Sequence, residues 1–116
     1  MTTIRDRFLQ AAKRRFEDVE IAGLGPVRIR NLSEGERSKI EAATHVDNQK
    51  ESGSGTARWK ARMILATVVD EENKPVFSEA DLNTVMAIDA AVSDPLYDAI
   101  VRHCEAGVTP EEQEKN

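Results

Sequence analysis

The chain has 116 residues, of which 40% are hydrophobic and 32% charged, with a formal net charge of −5. That length fits one domain with a modest core. Only three Phe, one Trp and one Tyr are present, so the core must be aliphatic and Ala-rich, a composition that favours helices. Cys104 is the only cysteine, which excludes an internal disulfide and suits a reducing compartment. No apolar run has membrane-spanning length or the character of a signal-peptide core, so a cytosolic protein is expected.

Charge is spread unevenly. Residues 1–15 carry a net +4, residues 16–78 a net −2 and residues 79–116 a net −7. A basic start and an acidic end can steer an oppositely charged partner, although a solvated surface is the commoner meaning of such charges. The overall acidity, with basic residues not interleaved with aromatics, disfavours nucleic-acid binding.

In chain order, Ile4, Phe8, Leu9, Ala12 and Phe16 recur at helical spacing opposite Arg5, Asp6, Lys13 and Arg14. The spacing predicts an amphipathic helix over 4–16. Its apolar face can dock a partner or form a layer of the domain's own core. The scarcity of aromatics favours the core. Val19 and Ile21 then alternate with Asp18 and Glu20, and beyond Gly23 and Gly25 Val27 and Ile29 alternate with Arg28 and Arg30. Period-two patterns on both sides of a Gly-rich turn predict a β-hairpin, with Glu20 facing Arg28 or Arg30 across the strands. A lone hairpin is marginal in water, so helices must cover its apolar face.

Ser33 and Glu36 have capping-box spacing and open the next helix, whose weak stripe of Ile40, Ala43 and Thr44 fades near Val46. Residues 47–57, containing Ser-Gly-Ser-Gly, predict a flexible loop within the domain. Ala57 to Val69 is the strongest helix. Its stripe is Ala61, Ile64, Leu65 and Val68, widened by Trp59, Met63 and Ala66. A charged turn over 70–74 and an extended Pro75-Val76-Phe77 lead to a second cap, Ser78 with Asp81. Leu82, Val85 and Met86 face inward on the helix after it. Asp94-Pro95 starts a last helix with an apolar face of Leu96, Tyr97, Ile100, Val101 and Cys104, stopped near Gly107. The expected architecture is α+β and mostly helical, with a small hairpin near the N-terminus packed on four to five helices. Residues 1–107 would form one globular domain, and 108–116 an acidic, disordered tail.

Bond-making chemistry finds no support. An EF-hand loop starting at Asp70 would put Lys74 at its fifth position and Pro75 at its sixth, where an oxygen ligand and Gly are needed. His103-Cys104 is the only His/Cys neighbour pair, and adjacent helix positions do not point at one spot. The glycines at 23, 25, 53 and 55 are not followed by the Gly-Lys-Ser/Thr of a phosphate loop. The carboxylates sit on faces where solvated charges normally sit. The expectation is a non-enzyme with no catalytic residues, no metal, no cofactor and no small-molecule substrate. Trp59, Met63, Met86 and Tyr97 are the candidate protein-binding residues, being large side chains that suit an interface as well as a core.

Two ordered segments carry most of the information: V-R-I-R-N-L-S-E-G-E-R at 27–37 and L-A-T-V-V-D-E-E-N-K-P-V-F-S-E-A-D-L at 65–82. With the opening I-R-D-R-F-L, the Arg- and Ala-rich A-R-W-K-A-R-M-I-L-A and the acidic end T-P-E-E-Q-E-K-N, the chain resembles the tail assembly chaperones of long-tailed bacteriophages over nearly its whole length. The resemblance implies a protein that binds the tape measure protein, keeps it soluble and helps recruit the tail tube protein. It further implies action in the cytoplasm of the infected host and departure before the virion matures. Self-association is left open, and no membrane is involved. Such genes often yield a longer product by ribosomal slippage, so the acidic tail is expected to lead into an extension. The rival from another class is a small DNA-binding regulator whose Arg5, Arg7, Lys13, Arg14 and Arg15 contact phosphates.

Overall fold

The structure is a computed structural model that describes residues 2–50 and 55–105. The expected hairpin is present. Strand β1 (Phe16–Ile21) pairs antiparallel with β2 (Gly25–Arg30), Asp18 opposite Arg28 and Ile21 opposite Gly25. Gly23 (φ +91°) and Gly25 (φ +84°) take backbone conformations in which a Cβ is strained, and this lets the chain reverse over three residues. The resulting register corrects the expected charge pair. Glu20 faces Pro26, and Arg28 instead meets Asp18, Nε to Oδ1 at 2.8 Å.

A third strand, β3 (Val68–Val69), extends the sheet in the order β1-β2-β3, with Ile29 opposite Val68. The sequence pattern carries the preceding helix to Val69, but α3 (Gly55–Thr67) ends two residues sooner. Two consecutive β-branched residues lose little on leaving the helix, and the open edge of β2 supplies partners for their backbone.

Helix α2 (Glu34–Lys50) begins as its capping box predicts. The Ser33 N–H donates to Glu36 Oε1 (2.9 Å) and the Glu36 N–H to Ser33 Oγ (3.2 Å). It does not fade near Val46. Residues 47–50 belong to α2 and 55–57 to α3, so most of the expected 47–57 loop is helical. A tertiary contact explains the difference: Arg62 of α3, only 8% exposed, bonds Asp47 on α2 and, through Nε and Nη2, Glu79 Oε1 (3.2 and 2.9 Å). Helix α3 is the centre of the core as expected, with Ala61, Met63, Ile64 and Leu65 buried against Ile29, Ile40, Leu82, Val85 and Ile100. Thr67 is fully buried, and its hydroxyl donates to the Met63 carbonyl at 2.6 Å.

A 3-10 turn (Glu79–Asp81) leads into α4 (Leu82–Met86), and the Asp81 carboxylate accepts the Ser78 N–H at 2.8 Å. Leu82 and Val85 point inward, but Met86, expected inward too, is exposed. Helix α5 (Ala90–Glu105) starts before Pro95 and contains it. Its cap is Asp89, whose carboxylate accepts the Ala91 N–H (2.9 Å) and whose carbonyl accepts those of Val92 and Ser93. This start lies well before the one expected at Asp94-Pro95, and the proline is accommodated at the cost of one helical hydrogen bond. At the other end of α5, buried His103 lies with Nδ1 3.0 Å from Glu17 Oε1 and Nε2 3.2 Å from the Arg15 carbonyl, joining α5 to β1. The mostly helical α+β architecture, with five α-helices among the described residues and a small sheet built on the N-terminal hairpin, is the one expected. The expected tail, 108–116, lies outside the described residues.

Helix α1 (Ile4–Ala11) departs most from expectation. It is capped by Thr3, whose hydroxyl accepts the Asp6 N–H at 3.1 Å while Asp6 accepts the Thr3 N–H at 3.2 Å. It ends before Phe16, which is in β1, and none of its residues is buried. The chain beyond it is captured by the end of β2 instead. The Arg15 N–H donates to Asn31 Oδ1 (2.8 Å), and the Arg14 guanidinium reaches the Asn31 carbonyl (2.7 Å) and Glu36 (2.6 and 3.1 Å).

Candidate functional site

One groove of about 310 Å³ is lined by Arg30 of the first singled-out segment, by α2 and by the second segment, with Arg62 within it. Arg30, Lys39, Ile40 and Ala43 come from β2 and α2. Leu65, Ala66, Phe77 and Glu79 come from α3 and the stretch before α4. Local chemistry sets each wall. The Ser33 cap starts α2 so that Ile40 and Ala43 share a face, and the Ser78–Asp81 cap turns the chain so that Phe77 packs inward while Val76 is left exposed. The floor is apolar and the rim charged. Arg30 is fixed there by its Nε donating to the Ala66 carbonyl at 2.8 Å.

Electrostatics stiffen this side of the molecule. Glu36 lies between Arg14 and Arg30 (3.3 Å to Arg30 Nη2), and its carboxyl is held down at about 2 by the Arg14 guanidinium, with the Ser33 N–H assisting. Asp47 is likewise held below the usual carboxylate range by the Arg62 guanidinium. Both carboxylates are therefore charged, and the cations they hold are committed to the fold. Arg14 is one of the five cations of the DNA-binding reading, and it is occupied internally by Glu36 and Asn31.

Between the hairpin and the 70–74 turn lies an open trough of about 700 Å³. Asp70 builds the turn: its Oδ1 accepts the N–H groups of Glu72 (2.8 Å) and Lys74 (3.1 Å), and Asn73 takes a left-handed conformation (φ +67°). The Lys74 and Glu72 N–H groups hold the Asp70 carboxyl below its ordinary range. Lys74, the residue that spoils a calcium loop at its fifth position, here closes a hydrogen-bonded turn. Among the described residues, no three His, Cys, Asp or Glu side chains cluster as metal ligands.

The four residues expected to bind a partner do not form one patch. Trp59 and Tyr97 come together, with Trp59 Nε1 donating to Tyr97 Oη at 3.0 Å and Lys60 Nζ lying 5.3 Å from the Tyr97 ring centre. Both rings are half-buried and tie α3 to α5. Met63 is buried in the core, which removes it as a partner contact in this fold. Met86 is exposed on α4. The apolar face of α1, read from the sequence as docking surface or core layer with the core favoured, is exposed at Ile4, Phe8 and Leu9, and sequence reasoning missed Val76 beside the groove. The signal for α1 was present in the T-x-x-D cap and the helical stripe, but a stripe does not say whether anything covers it. Cys104 is half-buried and burial pushes its thiol up, away from the reactive thiolate. Compared with known proteins, the chain matches no family model, no curated protein and no solved structure.

Proposed function

We propose that the protein is a non-catalytic tail assembly chaperone of a long-tailed bacteriophage, which binds the tape measure protein and helps recruit tail tube subunits during assembly. The observation that carries this reading is the groove between α2 and the 75–79 stretch. One wall is Arg30 of 27–37 with Lys39, Ile40 and Ala43 of the helix which that segment caps, and the other comes from 65–82. An apolar floor with a charged rim suits the apolar face of a partner helix, the mode in which amphipathic helices are commonly held. A tape measure protein with long apolar helices needs such a cover in solution. A shallow groove also allows release, because affinity depends on well-packed anchor residues rather than on area alone.

The test is co-expression with a tape measure protein from the same genome, followed by a solubility assay and co-purification. The large partner is expected to be soluble, and to co-elute, only in the presence of this chain. Ala43→Glu in the groove wall should abolish co-elution while circular dichroism shows native helix content. A partner that is soluble alone, with nothing co-eluting, would overturn the reading.

A further inference from the structure

Helix α1 and the acidic trough are complementary to each other, and within one copy they are not joined. At 3.6 residues per turn, Ile4 and Phe8 form one ridge on α1, and Arg5 and Arg7 stand about 80° to either side of it. The only carboxylate on the helix, Asp6, points directly away and is used in the Thr3 cap. Phe8 is 72% exposed and Ile4 is exposed with it. The helix therefore presents an apolar ridge between two guanidinium groups.

The trough has the inverse character. Pro26 and Val27 form its apolar wall, backed by the edge of β3. Asp18, Asp70, Glu71 and Glu72 supply four carboxylates to its lining, and Glu72 also holds Lys74 Nζ at 3.3 Å. The one cation in the lining, Arg28, is already engaged by Asp18 (2.8 Å), the Glu71 carbonyl (3.0 Å) and Asn73 Oδ1 (3.1 Å). Its volume of about 700 Å³ gives room for the Phe8 ring and the Ile4 side chain.

We infer that α1 of one copy docks in the trough of a second copy. The root of α1 is clamped by Arg14 and Arg15 to Asn31 and Glu36, at the open end of the hairpin, whereas the trough flanks the Asp18–Arg28 rung and the 70–74 turn. Donor and acceptor are different surfaces, so the contact is heterologous and propagates into chains or a ring rather than stopping at a symmetric dimer. Only a short helix is engaged, so the association is weak and depends on concentration. Its flanking charges are exposed, so salt weakens it further. The inference stands apart from the groove reading and uses no residue of the groove.

Sedimentation velocity of the full chain alone, at rising protein concentration and at low and high salt, tests it. Oligomers that grow with concentration and shrink with salt are expected. Phe8→Asp, which removes the ridge, and the double variant Glu71→Lys/Glu72→Lys, which reverses the trough, should each weaken association at least about tenfold. Both changes lie on exposed positions, and circular dichroism checks that the variants fold. Mixing the two variants leaves one intact ridge and one intact trough, so the mixture should give a one-to-one heterodimer and nothing larger. A wild-type chain that stays monomeric, a variant that still oligomerises, or a mixture that stays monomeric would each overturn the inference. No tape measure protein is present in the measurement, so failure here leaves the groove reading untouched, and failure of co-purification leaves this one untouched.

Discussion

The charge cluster at Glu36 lends itself to a quantitative test through Glu36→Gln. The Glu36 carboxylate accepts both Arg14 guanidinium nitrogens (2.6 and 3.1 Å), one from Arg30 (3.3 Å) and the Ser33 N–H (2.9 Å). The amide keeps the shape and one acceptor for the cap but removes the charge between two guanidinium groups. Holding the carboxyl at about 2 instead of 4.5 corresponds to about 3 kcal/mol as an upper bound. The side chain is still 29% exposed, so solvent screening brings the expected cost to about 1–2 kcal/mol at neutral pH. The sign of the pH dependence follows from a folded-state value below the unfolded one. The contribution is complete above about 4.5 and is lost as the pH falls towards about 2. Urea unfolding of both proteins at a series of pH values measures this. The gap between wild type and Glu36→Gln should be full at pH 7 and close on acidification. Other paired carboxylates, Asp18 and Asp47 among them, also lose their contribution in acid, but they do so in both proteins and cancel in the difference. A gap that is absent at pH 7, or unchanged in acid, would refute the account of this cluster.

Three other changes probe the rest of the fold. Ile100→Ala empties a fully buried position between α5, α3 and the sheet and should cost about 2–5 kcal/mol in urea unfolding. Gly25→Ala meets no atom within 4 Å, so its cost is the backbone alone, roughly 1–2 kcal/mol at φ +84°, and Gly25→Asn should recover part of it in thermal unfolding. Arg62→Met removes a buried cation from Asp47 and Glu79. It should speed amide exchange over residues 46–50 far more than in the sheet, because the last turn of α2 loses its anchor to α3.

Much of the architecture could be read locally. The Ser33–Glu36 and Ser78–Asp81 caps, the alternation around Gly23 and Gly25, and the stripe through Ala61, Ile64 and Leu65 are short-range patterns, and each formed where its spacing placed it. The departures share a long-range cause. Val68 and Val69 continue the helical stripe of α3, and only the free edge of β2 turns them into a strand. Asp47 to Lys50 look like loop residues until Arg62 arrives from another helix. The start of α5 is the exception, with a local cause: Asp89 caps the helix, but Asp94-Pro95 is the louder signal in the sequence. The groove was half legible: the 65–82 segment and the weak Ile40–Ala43 stripe stand out in the sequence, but nothing local shows that they face each other. The Trp59–Tyr97 pair was legible as two large residues and not as a contact.

The sequence by itself determined the class of the fold, the Ser33 and Ser78 caps, the hairpin turn and the amphipathic character of the helices, because these depend on backbone preferences and periodicities within a few residues. Only the tertiary structure decided which apolar faces are spent on the core and which remain available. Met63 and Phe8 illustrate the division. Both lie on amphipathic helices of similar pattern, yet one is buried in the core and the other stands in solvent. Burial depends on what the remainder of the chain brings alongside, and no local pattern contains that.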